Sequence, residues 1–338
     1  MKNRRPTQDD VAKLVGVSQS TVSQVLNRND SAIPEKTRQR IIGAMDQLGY
    51  VPNKLAQSLR TQKTSTIASI IPDIANPFYP AFQRGIQSIA NDHQYDLIIY
   101  DTQEREDSEK RSLRSLERAR VDGAIVVLFH HRLGDLKYLT DLGIPLVALT
   151  SREQKNENVL IDTLYVDNES MAKTAVCHLI NQGYSRIGMI AGLQGTPPRR
   201  NRIRGYKQAL TDHNLPTNEF LIQDCDFTEQ GGYQGMRELL KLKSLPDAVF
   251  AANDLMALGA MRAIREAGLN IPADIALVGI DDIPAAKLVH PPLTTISQFQ
   301  EIIGRKAAKM LFERINGTAS SNPRSIAMPF EIVVRESA

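Results

Sequence analysis

Apolar residues recur along this chain at two different spacings. Near the amino end Val11, Ala12, Leu14 and Val15 follow a helical period, and beyond Gly16-Val17 a second stripe runs through Val22, Val25 and Leu26. Thr7 with Asp10 three residues on resembles a capping box, Gly16 offers the left-handed backbone of a tight turn, and Ser18 caps the second run. A third helix is predicted from near Pro34, in its first turn, through Arg38, Ile41, Met45 and Leu48 to a stop at Gly49. Residues 1–49 therefore read as a three-helix unit. Residues 50–64 follow, with Asn53 as an N-cap and Leu55, Ala56 and Leu59 on one stripe, ending through Arg60 to Thr64. That is about two turns, short of the ~12–15 residues that hold an isolated helix, so the segment is expected to order only against a partner.

From Thr66 onward the pattern changes to short, continuous apolar runs alternating with helical stretches. Buried strands are predicted at Ile67–Ile71, Leu97–Tyr100, Ala124–Phe129 and Leu146–Leu149, then at Ile187–Ala191, Phe220–Ile222, Ala248–Ala252 and Ala276–Ile280. Helices fall between them, for instance at Phe82–Ala90, Arg111–Arg118, Met171–Asn181, Gly205–Leu210, Tyr233–Leu240 and Leu255–Ala267. Two β/α series predict two doubly wound parallel-sheet lobes. Their strand ends carry polar residues: Asp73, Asp101, Thr150-Ser151, Asn253-Asp254 and Asp281-Asp282. Ligands of open α/β sheets bind beyond the carboxyl ends of the strands, so a polar cleft between the lobes is expected there.

Charge sharpens this division. Residues 1–63 hold eleven Lys/Arg against five Asp/Glu, a charge of +6, and the rest of the chain holds 30 against 33, or −3. A basic head on a mildly acidic body suggests contact with a polyanion. The outward face of the second helix, Gln19, Ser20, Ser23, Gln24 and Asn27, is polar and carries no acid. Such a face approaches a duplex without repulsion, and amides and hydroxyls both donate to and accept from base edges.

Other classes of function find no support. No apolar run approaches the ~18–20 residues of a membrane helix, and no signal-peptide pattern opens the chain. The two cysteines, Cys177 and Cys225, are far apart and read as idle thiols of a reducing, cytoplasmic compartment. There is no G-x-G, Walker A loop, H-E-x-x-H or G-x-S-x-G, and the adjacent His130-His131 are poorly spaced for a metal. No enzyme activity, cofactor or metal is expected.

The run Asp10-Val11-Ala12-Lys13-Leu14-Val15-Gly16-Val17-Ser18-Gln19-Ser20-Thr21-Val22-Ser23-Gln24-Val25-Leu26-Asn27 resembles the headpiece of the lactose-repressor (LacI/GalR) family. Matches continue at Asn76-Pro77-Phe78-Tyr79, Val121-Asp122-Gly123, Arg202-Ile203-Arg204-Gly205-Tyr206, Asn253-Asp254-Leu255 and Val278-Gly279-Ile280-Asp281-Asp282. The resemblance implies an all-α helix-turn-helix headpiece with a hinge helix, and an α/β periplasmic-binding-protein-like body. Three crossings join its lobes, placed at 65–166 plus 295–326 and at 167–294 plus 327–338. By position, the family's base readers fall on Gln19, Ser20 and Gln24, and phosphate or packing roles on Thr21, Ser23 and Asn27. Thr7 and Ser18 join the DNA-facing set as caps. Asn53, Ala56, Leu59 and Arg60 belong to a hinge that folds on DNA beside its copy, with Leu59 wedged into the minor groove.

In the cleft the resemblance implies Phe78 and Tyr79 as an aromatic wall, Phe227 as a facing aromatic, and Arg202 as a clamp. Asn253 and Asp281 would hold vicinal hydroxyls, and Asp101 adds a strand-end carboxylate. This set suits a sugar. The residues alone leave the phenylalanines as core, Arg202 as one half of an inter-lobe ion pair, and Arg199 and Arg200 as either anion ligands or solvated charges. The functional expectation is a homodimeric regulator, most simply a repressor, on a palindromic operator and under a small-molecule effector, a sugar or sugar derivative. The chain closes after a last strand with no Leu-heptad tail, hence the dimer. The alternatives are a stand-alone small-molecule binding protein, or a regulator answering to a nucleoside, a purine or a partner protein.

Overall fold

The computed structural model describes residues 4, 6–26, 33–51, 63–151 and 160–338. The chain divides into two units, Met1–Thr64 and Ser65–Ala338.

In the first unit the three predicted helices are α1 (Gln8–Val15), α2 (Gln19–Leu26) and α3 (Glu35–Leu48). The Asp10 carboxylate accepts both the Thr7 N–H and the Thr7 hydroxyl at 2.8 Å, which fixes the start of α1. Gly16 takes φ +74° and its N–H closes on the Ala12 carbonyl at 2.9 Å, so the chain turns there. Arg40 of α3 donates to the Val15 carbonyl at 2.6 Å, satisfying an orphan acceptor at the end of α1. Val11, Ala12, Val15, Val22, Val25, Ile41 and Ala44 form the buried core. Leu14, at the edge of the predicted stripe, is 48% exposed. Pro34 caps α3 rather than opening its first turn. Residues 52–62, and with them the predicted hinge helix, lie outside the described residues, as does Asn27.

The second unit is two parallel-sheet lobes. The first sheet contains β1 (Thr66–Ile71), β2 (Asp96–Asp101), β3 (Gly123–Val126), β4 (Leu146–Thr150), β5 (Asp162–Tyr165) and β11 (Ser325–Ala327). Its order is β11-β5-β4-β3-β1-β2, parallel throughout. The second sheet contains β6 (Ile187–Ile190), β7 (Ile222–Gln223), β8 (Ala248–Ala251), β9 (Ala276–Asp281), β10 (Thr294–Ser297) and β12 (Glu331–Val333). Its order is β12-β10-β9-β8-β6-β7, with only β12 antiparallel to its neighbour. The first lobe carries α4 (Phe78–Asp92), α5 (Glu106–Ala119), α6 (Lys137–Asp141) and α11 (Gln300–Ile315). The second carries α7 (Asn168–Asn181), α8 (Pro197–Asp212), α9 (Glu229–Leu239) and α10 (Asp254–Glu266).

One apolar cluster runs through both lobes, from Ile67, Phe82 and Ile86 to Met171, Ile187 and Phe250. Helices α4 and α11 cross backbone to backbone. A Cβ on Gly85 would sit 2.2 Å from the Glu301 carbonyl oxygen, and one on Gly304 2.0 Å from that of Phe82. Sequence periodicity did not single out α11, β5 or β10. The lobe boundaries shift as well. Thr294–Ser297 pairs with β9 and belongs to the second sheet, not to a first-lobe segment starting at 295. Ser325–Ala327 pairs with β5 in the first sheet, so the second lobe resumes after Ala327 rather than at 327. Apolar runs state that a strand is buried; only ladder register assigns its sheet.

Candidate functional site

In α2 the apolar positions Val22 and Val25 are buried, which turns Gln19, Ser20 and Gln24 outward into solvent. Ser18 accepts the Thr21 N–H at 3.2 Å and its hydroxyl lies 2.6 Å from that of Ser20 and 2.8 Å from that of Thr21. Thr21 and Ser23 are half-buried. Gln19 donates to the side-chain carbonyl of Gln8, so α1 steadies one of the exposed amides. No charge lies within α2 itself. Asn53, Ala56, Leu59 and Arg60 lie outside the described residues.

The body encloses a cavity of about 620 Å³ between its lobes. Six of the seven cleft residues expected from the sequence line it: Phe78, Tyr79, Arg202, Phe227, Asn253 and Asp281. Asp101 does not. Its carboxylate accepts the backbone N–H groups of Ile74 at 3.3 Å and Gln103 at 3.2 Å, so it shapes the loops beyond β1 and β2 rather than facing a ligand.

The aromatic wall follows from how α4 begins. Asn76 Oδ1 accepts the Phe78 N–H at 3.0 Å, and the Asn76 carbonyl accepts the Tyr79 N–H at 3.0 Å. This start delivers both rings to the cavity, edge to face with centroids 5.1 Å apart. Tyr79 is buried, and its hydroxyl has no protein hydrogen bond among the described residues. Burial, then the negative charges of Glu104 and Asp281, push the phenol well above its ordinary pKa, so it stays a neutral donor. Across the cavity Phe227 faces Phe129 with centroids 6.1 Å apart, one ring from each lobe.

Arg202 is 7% exposed. Its Nε donates to Asn168 Oδ1 at 2.7 Å and one terminal nitrogen donates to the Ala252 carbonyl. Asp281 is its leading electrostatic partner, yet no ion pair joins the two. One Asp281 oxygen accepts Gln298 Nε2 at 2.6 Å, and Gln300 donates to the Asp281 carbonyl. Asp281 sits at φ +124° and Asp282 at φ +51°, a backbone that L-residues seldom adopt and that clusters at functional sites. Burial drives the Asp281 carboxyl above the usual range while Arg202 opposes the rise. The pair thus presents an uncommitted guanidinium edge and a carboxyl to the same space, a geometry suited to hydroxyl groups.

Asn253 is less free than expected. Its Oδ1 caps α10 through the Met256 N–H at 2.8 Å and its Nδ2 donates to the Phe227 carbonyl at 3.0 Å, so it holds Phe227 in place. Further lining residues went unread in the sequence, among them Asn168, Asn201, Gln298, Glu104, Phe129 and Arg132. Asn201 bridges the lobes by donating to Ser151 Oγ at 2.7 Å. Glu104, at φ +55°, is pushed from 4.5 up to about 7 by burial and then by the like charges of Asp73 and Asp226. Isolated amides and a lone glutamate in loops carry no periodic signal; only the neighbouring Arg202 could have drawn attention to Asn201.

Among the described residues no group of three or more His, Cys, Asp or Glu could hold a metal ion, and no helix is long and apolar enough to cross a membrane. His131 Nδ1 lies 2.7 Å from Glu109 Oε1, in the loop beyond β3. Cys177 and Cys225 are free thiols.

Residues 7–53 match the family model for bacterial regulatory proteins of the lacI family, and residues 176–338 match that for a periplasmic binding protein-like domain. The HTH-type transcriptional regulator RegA of Clostridium acetobutylicum is 36% identical over 330 residues, 97% of this chain and 98% of that protein. The chain belongs to the lacI family. Its fold and function follow: a helix-turn-helix, DNA-binding transcriptional regulator with a two-lobed body. Among solved structures, a transcriptional regulator CelR-cellobiose complex is 32% identical with a TM-score of 0.74, covering 99% of this chain and 100% of that one. The lac repressor dimer bound to operator and the anti-inducer ONPF is 28% identical with a TM-score of 0.84, covering 99% of each. This lacI-family body therefore has its cavity where the two-lobed fold brings the strand ends of both sheets together.

Proposed function

We propose that this lacI-family regulator is a homodimeric repressor of a palindromic operator, controlled by a sugar or sugar derivative held between its lobes. The observation that carries the reading is the buried Arg202 and Asp281, facing each other without an ion pair beside the neutral Tyr79 hydroxyl. Sugars bring apolar ring faces to aromatic walls and hydroxyl rims to planar bidentate groups, and both are present in this cavity. The cellobiose held by one relative and the operator held by another, a dimer, support the same reading.

In this account Gln19, Ser20 and Gln24 read base edges, while Ser18, Thr21 and Ser23 set the helix against the backbone. Thr7 holds α1 through Asp10. Two copies place two recognition helices on the two halves of the operator. A change in lobe position alters operator affinity through a coupling free energy carried by the segment between headpiece and body, with Asn53, Ala56, Leu59 and Arg60 among its DNA contacts.

The test is anisotropy of an inverted-repeat duplex selected from a randomised library, with and without sugars. Arg202→Ala should retain effector-free operator binding and lose the response. Unchanged sugar affinity by calorimetry in that variant would remove Arg202 from the site.

A further inference from the structure

The sequence left Arg199 and Arg200 as equivalent neighbours, and the structure separates them. Arg199 turns away from the cavity, donating to Asp224 Oδ1 from Nε at 2.8 Å and from a terminal nitrogen at 2.5 Å. Arg200 lines the cavity, and its guanidinium has no hydrogen bond or ion pair among the described residues. Arg132 does the same from the first lobe. It lines the cavity, its backbone N–H donates to Asp135 Oδ2 at 2.8 Å and its carbonyl accepts the Asp135 N–H at 3.0 Å, while its guanidinium has no hydrogen bond or ion pair among the described residues.

Both arginines are carried by firm supports. The loop before Arg132 is anchored on the buried Glu109, which accepts the N–H groups of Phe129, His130 and His131 at 2.9, 3.2 and 2.8 Å. Arg200 sits in the first turn of α8, a 16-residue helix opened by Pro197 and Pro198, at the positive end of its dipole. Among the described lining residues three guanidiniums (Arg132, Arg200, Arg202) stand against two carboxylates (Glu104, Asp281). The cavity thus has a positive excess of at least one charge, and its two unpaired cations come from opposite lobes. Its volume of about 620 Å³ lies mid-range for ligand pockets, which run to about 1,000 Å³.

We infer that the effector carries an anionic group, a phosphate monoester or a carboxylate, clasped between Arg132 of the first lobe and Arg200 of the second. This rests on the sugar reading above and narrows it: the ring lies against Tyr79, Arg202 and Asp281, and the anion lies between the two arginines. Because each lobe contributes one cation, the anion draws the lobes together and favours the closed body. Guanidinium groups suit both anions through paired N–H donors.

The test uses the full chain at constant ionic strength and compares three ligands that differ only at the sixth carbon: glucose, glucuronate and glucose 6-phosphate. The galactose trio is run in parallel, with inorganic phosphate as the bare anion. Calorimetry should show an anionic member binding about tenfold tighter than its neutral parent or better, as one charge-assisted contact implies. Arg200→Gln and Arg132→Gln should each collapse that ratio, and Arg199→Gln should not. Inorganic phosphate should raise the melting midpoint of the wild type but not of the double variant. Whether phosphate or carboxylate gains more decides which anion the site takes. Neutral sugars binding as well as their anionic partners, with binding lost in Arg202→Ala, would overturn the anion site and leave the cleft reading standing. Silence from every sugar and from phosphate would overturn both.

Discussion

Gly192→Ala tests how the cavity wall is built. Gly192 lies just beyond β6 at φ +89°, and a Cβ there would fall 2.2 Å from Phe227 Cε1, 2.5 Å from Cζ and 2.9 Å from Cδ1. Carbon atoms pack at about 3.5–4.0 Å, so the ring must retreat by about 1 Å or more. Three costs follow. The left-handed backbone of a non-glycine residue costs about 1–2 kcal/mol. Driving the Phe227 side chain off its rotamer costs about 0.5–1.5 kcal/mol. Losing the inter-lobe contact with Phe129 costs about 0.5–1.5 kcal/mol more. The expected destabilisation is therefore about 2–5 kcal/mol, read from urea unfolding of the full chain by circular dichroism at one fixed protein concentration. The steric share can be isolated. In a Phe227→Ala background the ring is gone, so Gly192→Ala should cost only the backbone share of about 1–2 kcal/mol. A double-mutant cycle that closes additively, within about 0.5 kcal/mol, would refute the collision and with it the claim that Gly192 sets the position of the ring. Sugar affinity should fall in the glycine variant as well, because Phe227 faces the cavity.

The remaining predictions concern charge and the operator. Glu104 has a folded pKa near 7 against an ordinary 4.5, so its protonated form contributes stability fully below 4.5 and that contribution is lost as pH rises towards 7. Glu104→Gln should match the wild type at pH 4.5 and exceed it at pH 8 by about 1–3 kcal/mol, the lower figure allowing for solvent screening; an equal difference at both pH values would refute the account. Gln24→Ala should relax operator choice at one base position of each half-site, by about 1–3 kcal/mol, while leaving the salt dependence of binding to bulk DNA alone. Leu59→Ala should weaken specific binding far more than non-specific binding, and equal losses in a salt-controlled titration would exclude a minor-groove wedge.

Much of this molecule is readable from local pattern. The helix-turn-helix is, because its caps, its glycine turn and its two apolar stripes lie within neighbouring residues, from Thr7 to Leu26. Strands β1 and β6 are, because a strand buried on both faces reads as a near-continuous apolar run, interrupted in β1, after its first residue, only by Ser69. The aromatic start of α4 and the aspartates ending β9 were equally visible as polar or aromatic residues where strands stop.

Tertiary structure decided what depends on distant partners. Asp101 and Asp281 look alike in sequence, each an aspartate closing an apolar run. One is consumed by two loop N–H groups, and the other is held by Gln298, a residue in a crossing segment 17 positions away, and turned into the cavity. Arg199 and Arg200 are adjacent, yet a helix separates successive side chains by about 100°, so one meets Asp224 and the other meets the cleft. Sequence determines which residues are polar and where an element begins. Which of those residues converge is settled only when two sheets and their crossings bring chain-distant loops face to face.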